Sequence, residues 1–190
     1  MKPSAFLHAA KPAILLAFAL LLAACAGTPL RDVTDPDAPR SLPGTSQVAV
    51  SWNDPAGFSD LRRSSNRWES RRGDWVRDLA VYVQQSVARA LPPGERAEIT
   101  ITDIRRAGEY EPWHGPQMDD VRIMRDIYWP QITLQLRRTD ATGRELDGGE
   151  RVLRDPAYLT SGVRSPRGNE ALYYEKRLVD DWVRREFATR

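Results

Sequence analysis

"DWVRDLAVYVQQSVARALPPGERAEITITDI", Asp74 to Ile104, decides the fold, because the period of its apolar residues changes once along it. Trp75, Leu79, Val83 and Val87 recur every four residues, with Val76, Ala80 and Leu91 beside them, and so mark one face of a helix. Asp74 is the expected N-cap and Pro92-Pro93-Gly94 the stop. "AEITITDI" then alternates apolar and polar residues, the pattern of a half-buried strand.

Upstream, "QVAVSWN" alternates Val48, Val50 and Trp52 and ends at Asp54-Pro55, which predicts a first strand. Downstream, "IYWPQITLQLRR" predicts a third, with Tyr128, Ile132, Leu134 and Leu136 of one parity. Pro130 cannot donate to a ladder, so that end is an edge or a strand start. "TDATG" is a turn, and "RELDGGERVL" a fourth strand with an expected bulge at Gly148-Gly149. Leu172 to Phe187 is a last helix, its apolar stripe Leu178, Val179, Trp182, Val183 and Phe187. The expected fold class is α+β: a single domain in the order β-α-β-β-β-α. Its sheet is four-stranded and mainly antiparallel, with two helices packed on one face. Long loops, a partner or water cover the other face.

The first residues set an address. Lys2 and Lys11 flank no acid, and "PAILLAFALLLAA", Pro12 to Ala24, is apolar and too short for the ~20 residues of a spanning helix. Leu22-Ala23-Ala24-Cys25 resembles a bacterial lipoprotein box, which implies cleavage before Cys25 and a covalent lipid on its sulfur. Residues 1–24 are then a lipoprotein signal peptide. Residues 25–46, with four prolines, are a lipidated cysteine and flexible tether, and 47–190 the folded domain. Extended at ~3.1 Å per residue, the tether reaches roughly 65 Å. Ala26, in place of the aspartate that marks inner-membrane retention, points to the outer membrane with the domain facing the periplasm. Cys25 is the only cysteine, so no disulfide and no thiolate chemistry is expected.

The formal charge of +2 comes from Lys2 and Lys11; without them 26 basic residues face 26 acidic ones. A neutral chain argues against nucleic acid as a partner. The arginine-dense "RRSSNRWESRR", Arg62 to Arg72, reads as a solvated approach to the first helix, with anionic lipid or glycan phosphate as its functional alternative.

Between the second and third strands lies "GEYEPWHGPQMDDVRIMRDIYWP", Gly108 to Pro130. His114, with Glu111, Asp119 and Asp120, is a candidate metal or acid/base set, against the default of an exposed loop histidine. Arg122 or Arg125 could grip an anion; alternatively the acids and arginines stitch the loop, with Tyr110 and Trp113 packed beneath. No nucleophile elbow, zinc-protease helix, phosphate loop or dinucleotide fingerprint is present in the sequence.

These residues together resemble the domain of unknown function 3016 family of exported bacterial proteins. The resemblance rests on Val48-x-Val50, Asp54-Pro55, Phe58-Ser59-Asp60 and Thr100-x-Thr102-Asp103-Ile104. It continues through Gly108-Glu109-Tyr110-Glu111-Pro112-Trp113, Asp120-Val121-Arg122 and Arg125-Asp126-Ile127-Tyr128. Leu153-Arg154-Asp155-x-Ala157-Tyr158, Tyr174-Glu175-Lys176 and Asp181-Trp182 complete it. It implies no activity, because the family has none assigned. The leading expectation is a non-enzymatic outer-membrane lipoprotein, without cofactor beyond its covalent lipid. It binds an envelope protein or an anionic glycan or lipid through Tyr110, Glu111, Trp113, Arg122, Arg125, Asp126 and Tyr128. The alternatives are an envelope hydrolase using His114 and the loop acids, and a lipid or glycan carrier, which needs a cavity.

Overall fold

The structure, a computed structural model, describes residues 31–44, 47–160 and 170–187. The expected leader and Cys25 lie outside the described residues.

Strand β1 (Val48–Trp52) leads into two short helices, α1 (Ser59–Arg63) and α2 (Arg67–Arg71), and then a long one, α3 (Trp75–Ala90). Strand β2 (Arg96–Arg105) follows, then a two-stranded ribbon of β3 (Glu109–Tyr110) and β4 (Arg122–Ile123). Strands β5 (Gln131–Thr139) and β6 (Glu145–Arg154) precede helix α4 (Tyr173–Glu186). The main sheet has the order β1-β2-β5-β6. β1 and β2 are parallel because α3 carries the chain back between them, whereas β2-β5 and β5-β6 are antiparallel. The expected α+β order is therefore present, with the two short helices and the ribbon added to it.

One face of the sheet carries the core. Val48, Val50, Ile99, Ile101, Ile132 and Leu134 pack with Leu79 and Val83 of α3 and Val179 and Trp182 of α4. The other face is polar. Ser51, Thr100, Gln135 and Glu150 share one register row, and Ser51 and Thr100 join by their hydroxyls at 3.1 Å. An antiparallel sheet with one wet face needs no cover of its own.

Two irregularities position later features. The β2-β5 register shifts between Ile101 and Asp103, so the buried series runs Ala97, Ile99, Ile101 and then Ile104. Asp103 is thereby free to accept from the Ser59 N–H (2.6 Å) and hydroxyl (2.7 Å), which fixes the start of α1. In β6 the extra residue is Leu146, not the expected Gly148-Gly149, which pair in register with Arg137 and Leu136. Asp74 does sit at the N-cap of α3, but its carboxylate pairs with Arg31 in place of a helix N–H.

Two sequence expectations are corrected here. Tyr128 precedes β5 and is not one of its core residues; the strand starts after the buried Pro130. Of the stretch 25–46 expected as tether, residues 31–43 are packed on the domain. Residues 31–43 form a strap on the domain, with Gly73 N–H on Arg31 O (2.8 Å) and Val33 N–H on Arg71 O (2.9 Å) at one end. At the other, Leu42 N–H meets Val50 O and Trp52 N–H meets Arg40 O, both at 2.9 Å, so the strap covers the outer edge of β1. Leu42 is buried in the core.

Candidate functional site

The Gly108–Pro130 loop is held by three buried carboxyl groups, each on a different element. Asp60, on α1, has a side chain 1% exposed. It accepts from Arg106 Nη2 (2.7 Å), Arg106 Nε (3.0 Å) and the Arg106 backbone N–H (2.9 Å). Arg122 Nη2 donates at 3.0 Å to Asp60 Oδ1, the oxygen that also takes the Arg106 backbone N–H. Arg122 also donates to the Ala107 (3.2 Å) and Gly108 (2.8 Å) carbonyls, so one guanidinium ties both ends of the ribbon to α1. The two guanidiniums stack on aromatic rings, Arg106 at 4.0 Å from the Trp75 centroid and Arg122 at 5.0 Å from that of Tyr110. Burial pushes the Asp60 carboxyl up, but Arg122 and Arg106 outweigh it and hold the group below the usual carboxylate range.

Glu111, buried at the start of the turn Pro112–His114, is the second. It receives Arg125 Nη2 (2.6 Å), the Tyr128 hydroxyl (2.8 Å) and His114 Nε2 (2.8 Å). Burial pushes this carboxyl up, while the hydrogen bonds from Tyr128, Arg125 and His114 hold it below its ordinary value. The third is Glu175, in the first turn of α4, whose Oε1 takes the Ala107 N–H at 2.6 Å. From the same side Tyr158 donates to the Arg125 carbonyl at 2.7 Å and meets Tyr174 edge to face.

Of the residues singled out in the sequence, the structure joins Glu111, His114, Arg125 and Tyr128 in one cluster and Tyr110 and Arg122 in another. Tyr110 packs beneath as expected, but Trp113 does not: it is 65% exposed. Asp126 is exposed, and Asp119 contributes its backbone carbonyl to Asn66 at 2.9 Å. Among the described residues no group of three or more His, Cys, Asp or Glu side chains could hold a metal ion, so Glu111, His114, Asp119 and Asp120 do not form the candidate metal set. Asp60, Arg106, Glu175 and Tyr158 belong to the site without having been given a role from sequence. Glu175 had a local signal, since 175, 178, 179 and 182 share one helical face and its neighbours there are apolar.

Beside Arg106, Arg122 and Glu175 lies a cleft of about 360 Å³, bordered also by Trp75, Met124 and Tyr173. Outward from the clusters the loop presents Trp113, Val121, Met124 and Ile127, all exposed. Two of the three carboxyl groups are committed to arginine and held below their ordinary values, whereas burial pushes the third, Glu175, up.

A family model described as "Protein of unknown function (DUF3016)" matches residues 46–185. No curated protein and no solved structure matches the chain.

Proposed function

The chain belongs to the DUF3016 family, and from that premise we propose that it is an outer-membrane lipoprotein anchored through Cys25 whose domain binds an envelope protein without catalysing a reaction. The observation that supports this reading is the contrast within one loop. Its Glu111 carboxylate is locked inward, while Trp113 and Ile127 stand 65% and 62% exposed. Large apolar side chains held out on a rigid support are what a binding hot spot requires. Arg125 and His114, each about half exposed beside them, supply a polar rim. The hydrolase alternative needs a carboxylate free to act with His114, and Glu111 is committed to three donors.

The packed strap shortens the leash. Only residues 26–30 separate Cys25 from Arg31, and six Cα-to-Cα steps span at most about 22 Å. An anchored domain therefore stays near the bilayer, far inside the roughly 65 Å of a 21-residue tether. Cys25→Ser is expected to move the protein from the membrane fraction to the soluble fraction; retention in the membrane fraction would contradict the anchor.

The binding surface has its own test. A photo-reactive residue placed at Trp113 is expected to crosslink a defined envelope protein, identified by mass spectrometry. Trp113→Ala with Ile127→Ser is expected to weaken that partner's affinity by about 30-fold, the scale of one hot spot. The melting temperature is expected to stay within about 2 °C, because both side chains are largely in water. An unchanged affinity at unchanged stability would assign binding elsewhere.

A further inference from the structure

The strap does more than cover a strand edge. Both of its ends are fixed to the domain by backbone hydrogen bonds, at Arg71–Gly73 and at β1. Between them residues 32–38 hydrogen-bond among themselves, Asp35 N–H to Asp32 O, Ala38 N–H to Asp35 O and Asp37 N–H to the Asp35 carboxylate. The middle of the strap is thus a self-supporting arch, and it borders a cavity of about 810 Å³. That volume lies within the range of small-molecule sites, ~300–1,000 Å³.

The lining has a definite chemistry. Val33, Leu42, Trp52 and Val76 give it an apolar wall continuous with the core. Arg31, Asp32 and Arg40 also border it, but their charges are met by Asp74, Arg71 and Asp54. The charges left to meet a ligand are Arg77, exposed on α3, and Asp35 and Asp37, exposed on the strap. Cation and anions therefore come from separate elements, with hydrocarbon beside them. A purely anionic ligand would meet the strap carboxylates, and a purely cationic one would meet Arg77. A ligand carrying both charges on one short headgroup, and hydrocarbon behind it, satisfies all three features.

We propose that this cavity binds a zwitterionic amphiphile, its ammonium on Asp35 and Asp37, its phosphate on Arg77 and its hydrocarbon on the Val33–Trp52 wall. An aminophospholipid has this chemistry. The lipid source rests on the anchoring reading, which would hold the cavity near the bilayer; the headgroup chemistry does not. The binding surface around Trp113 plays no part in it.

Titration calorimetry on the full chain carrying Cys25→Ser tests the proposal with three soluble probes. These are dihexanoyl phosphatidylethanolamine, dihexanoyl phosphatidylglycerol and O-phosphoethanolamine. The phosphatidylethanolamine is expected to bind saturably, and at least about tenfold more tightly than the phosphatidylglycerol, which lacks the amine. Asp35→Asn with Asp37→Asn is expected to abolish that preference, and Arg77→Gln to weaken both lipids. All three positions are exposed, so circular dichroism and melting temperature are expected to stay unchanged. O-phosphoethanolamine binding as tightly as the lipid would keep the zwitterion and assign a free metabolite as its source; weaker binding assigns the lipid. Equal binding of the two lipids, no saturable binding, or insensitivity to all three substitutions would overturn the proposal. Membrane release of Cys25→Ser is read separately, so failure of the anchor and failure of the cavity cannot be confused.

Discussion

Asp60→Ala is expected to destabilise the domain by about 3–5 kcal/mol, the cost of removing one partner from a buried ion-pair network. For a domain of this size that is a fall of roughly 10 °C in melting temperature. The size of the effect follows from what is left behind. The Arg106 and Arg122 side chains are only 12% and 15% exposed, and each would lose its counter-charge without gaining water. Arg106 would keep the Ser70 carbonyl, and Arg122 the Ala107 and Gly108 carbonyls, which orient the guanidiniums but do not neutralise them. Asp60→Asn is expected to fall between, since the amide keeps acceptors without the charge. Adding Arg122→Met to Asp60→Ala is expected to recover part of the loss, giving a coupling of more than about 1 kcal/mol in the double-mutant cycle. Simple additivity would show that Arg122 is not held by Asp60. The acid limb carries the same information. A carboxyl lowered in the fold contributes stability above its unfolded value of ~3.9, and that stability is lost as pH falls through the lower folded value. Below pH ~4 urea denaturation of the wild type is therefore expected to lose stability more steeply than that of Asp60→Ala.

Why some of this was legible in the sequence and some not has a physical basis. The α3-to-β2 switch was legible because burial imposes a period, and Pro92-Pro93 marks where it changes. The strap was not, because its hold is by backbone hydrogen bonds at two ends, which leave no periodic pattern. Three prolines and a polar middle look like a linker whether or not the ends are pinned. Trp113 was expected to pack under the loop. It is carried outward by a Pro112–His114 turn that runs into Gly115, whose φ of +97° favours glycine. Apart from His114, three positions from Glu111, the site's carboxylate partners lie 14 to 68 positions away along the chain, beyond the reach of local spacing. The family pattern nevertheless contains Asp60, Glu111, Arg122, Arg125, Tyr128, Tyr158 and Glu175. These are residues whose hydrogen bonds fix the loop, and the same stretches also carry the outward Trp113, Val121 and Ile127.

Glu175 is expected to reverse the usual acid behaviour, and this separates it from Asp60. Its side chain is buried, one oxygen accepts the Ala107 N–H, and Arg106 and Arg122 act on it from a distance. Tyr158 packs against neighbouring Tyr174, and Asp78 and Glu170 border the adjoining cleft. Burial dominates and pushes the carboxyl up, against the Ala107 hydrogen bond and the two arginines. A carboxyl raised in the fold gives its full stabilisation below the unfolded value near 4.3, and loses it as pH rises through the folded value. As pH rises above the unfolded value near 4.3 the wild type is therefore expected to lose stability, while Glu175→Gln, which keeps an acceptor for Ala107 without a titrating proton, stays level. At pH 8 Glu175→Gln is expected to be the more stable of the two. Glu175→Ala is expected to cost about 2–3 kcal/mol at pH 5, from an unmet Ala107 N–H and the space left at the base of α4. Thermal melts of the three proteins at both pH values decide the matter. Parallel pH profiles for wild type and Glu175→Gln would mean that Glu175 is ionised throughout and paired with Arg122, making it a second Asp60. The expected crossing of the two profiles would instead mark α4 as the element whose grip on the loop weakens with rising pH.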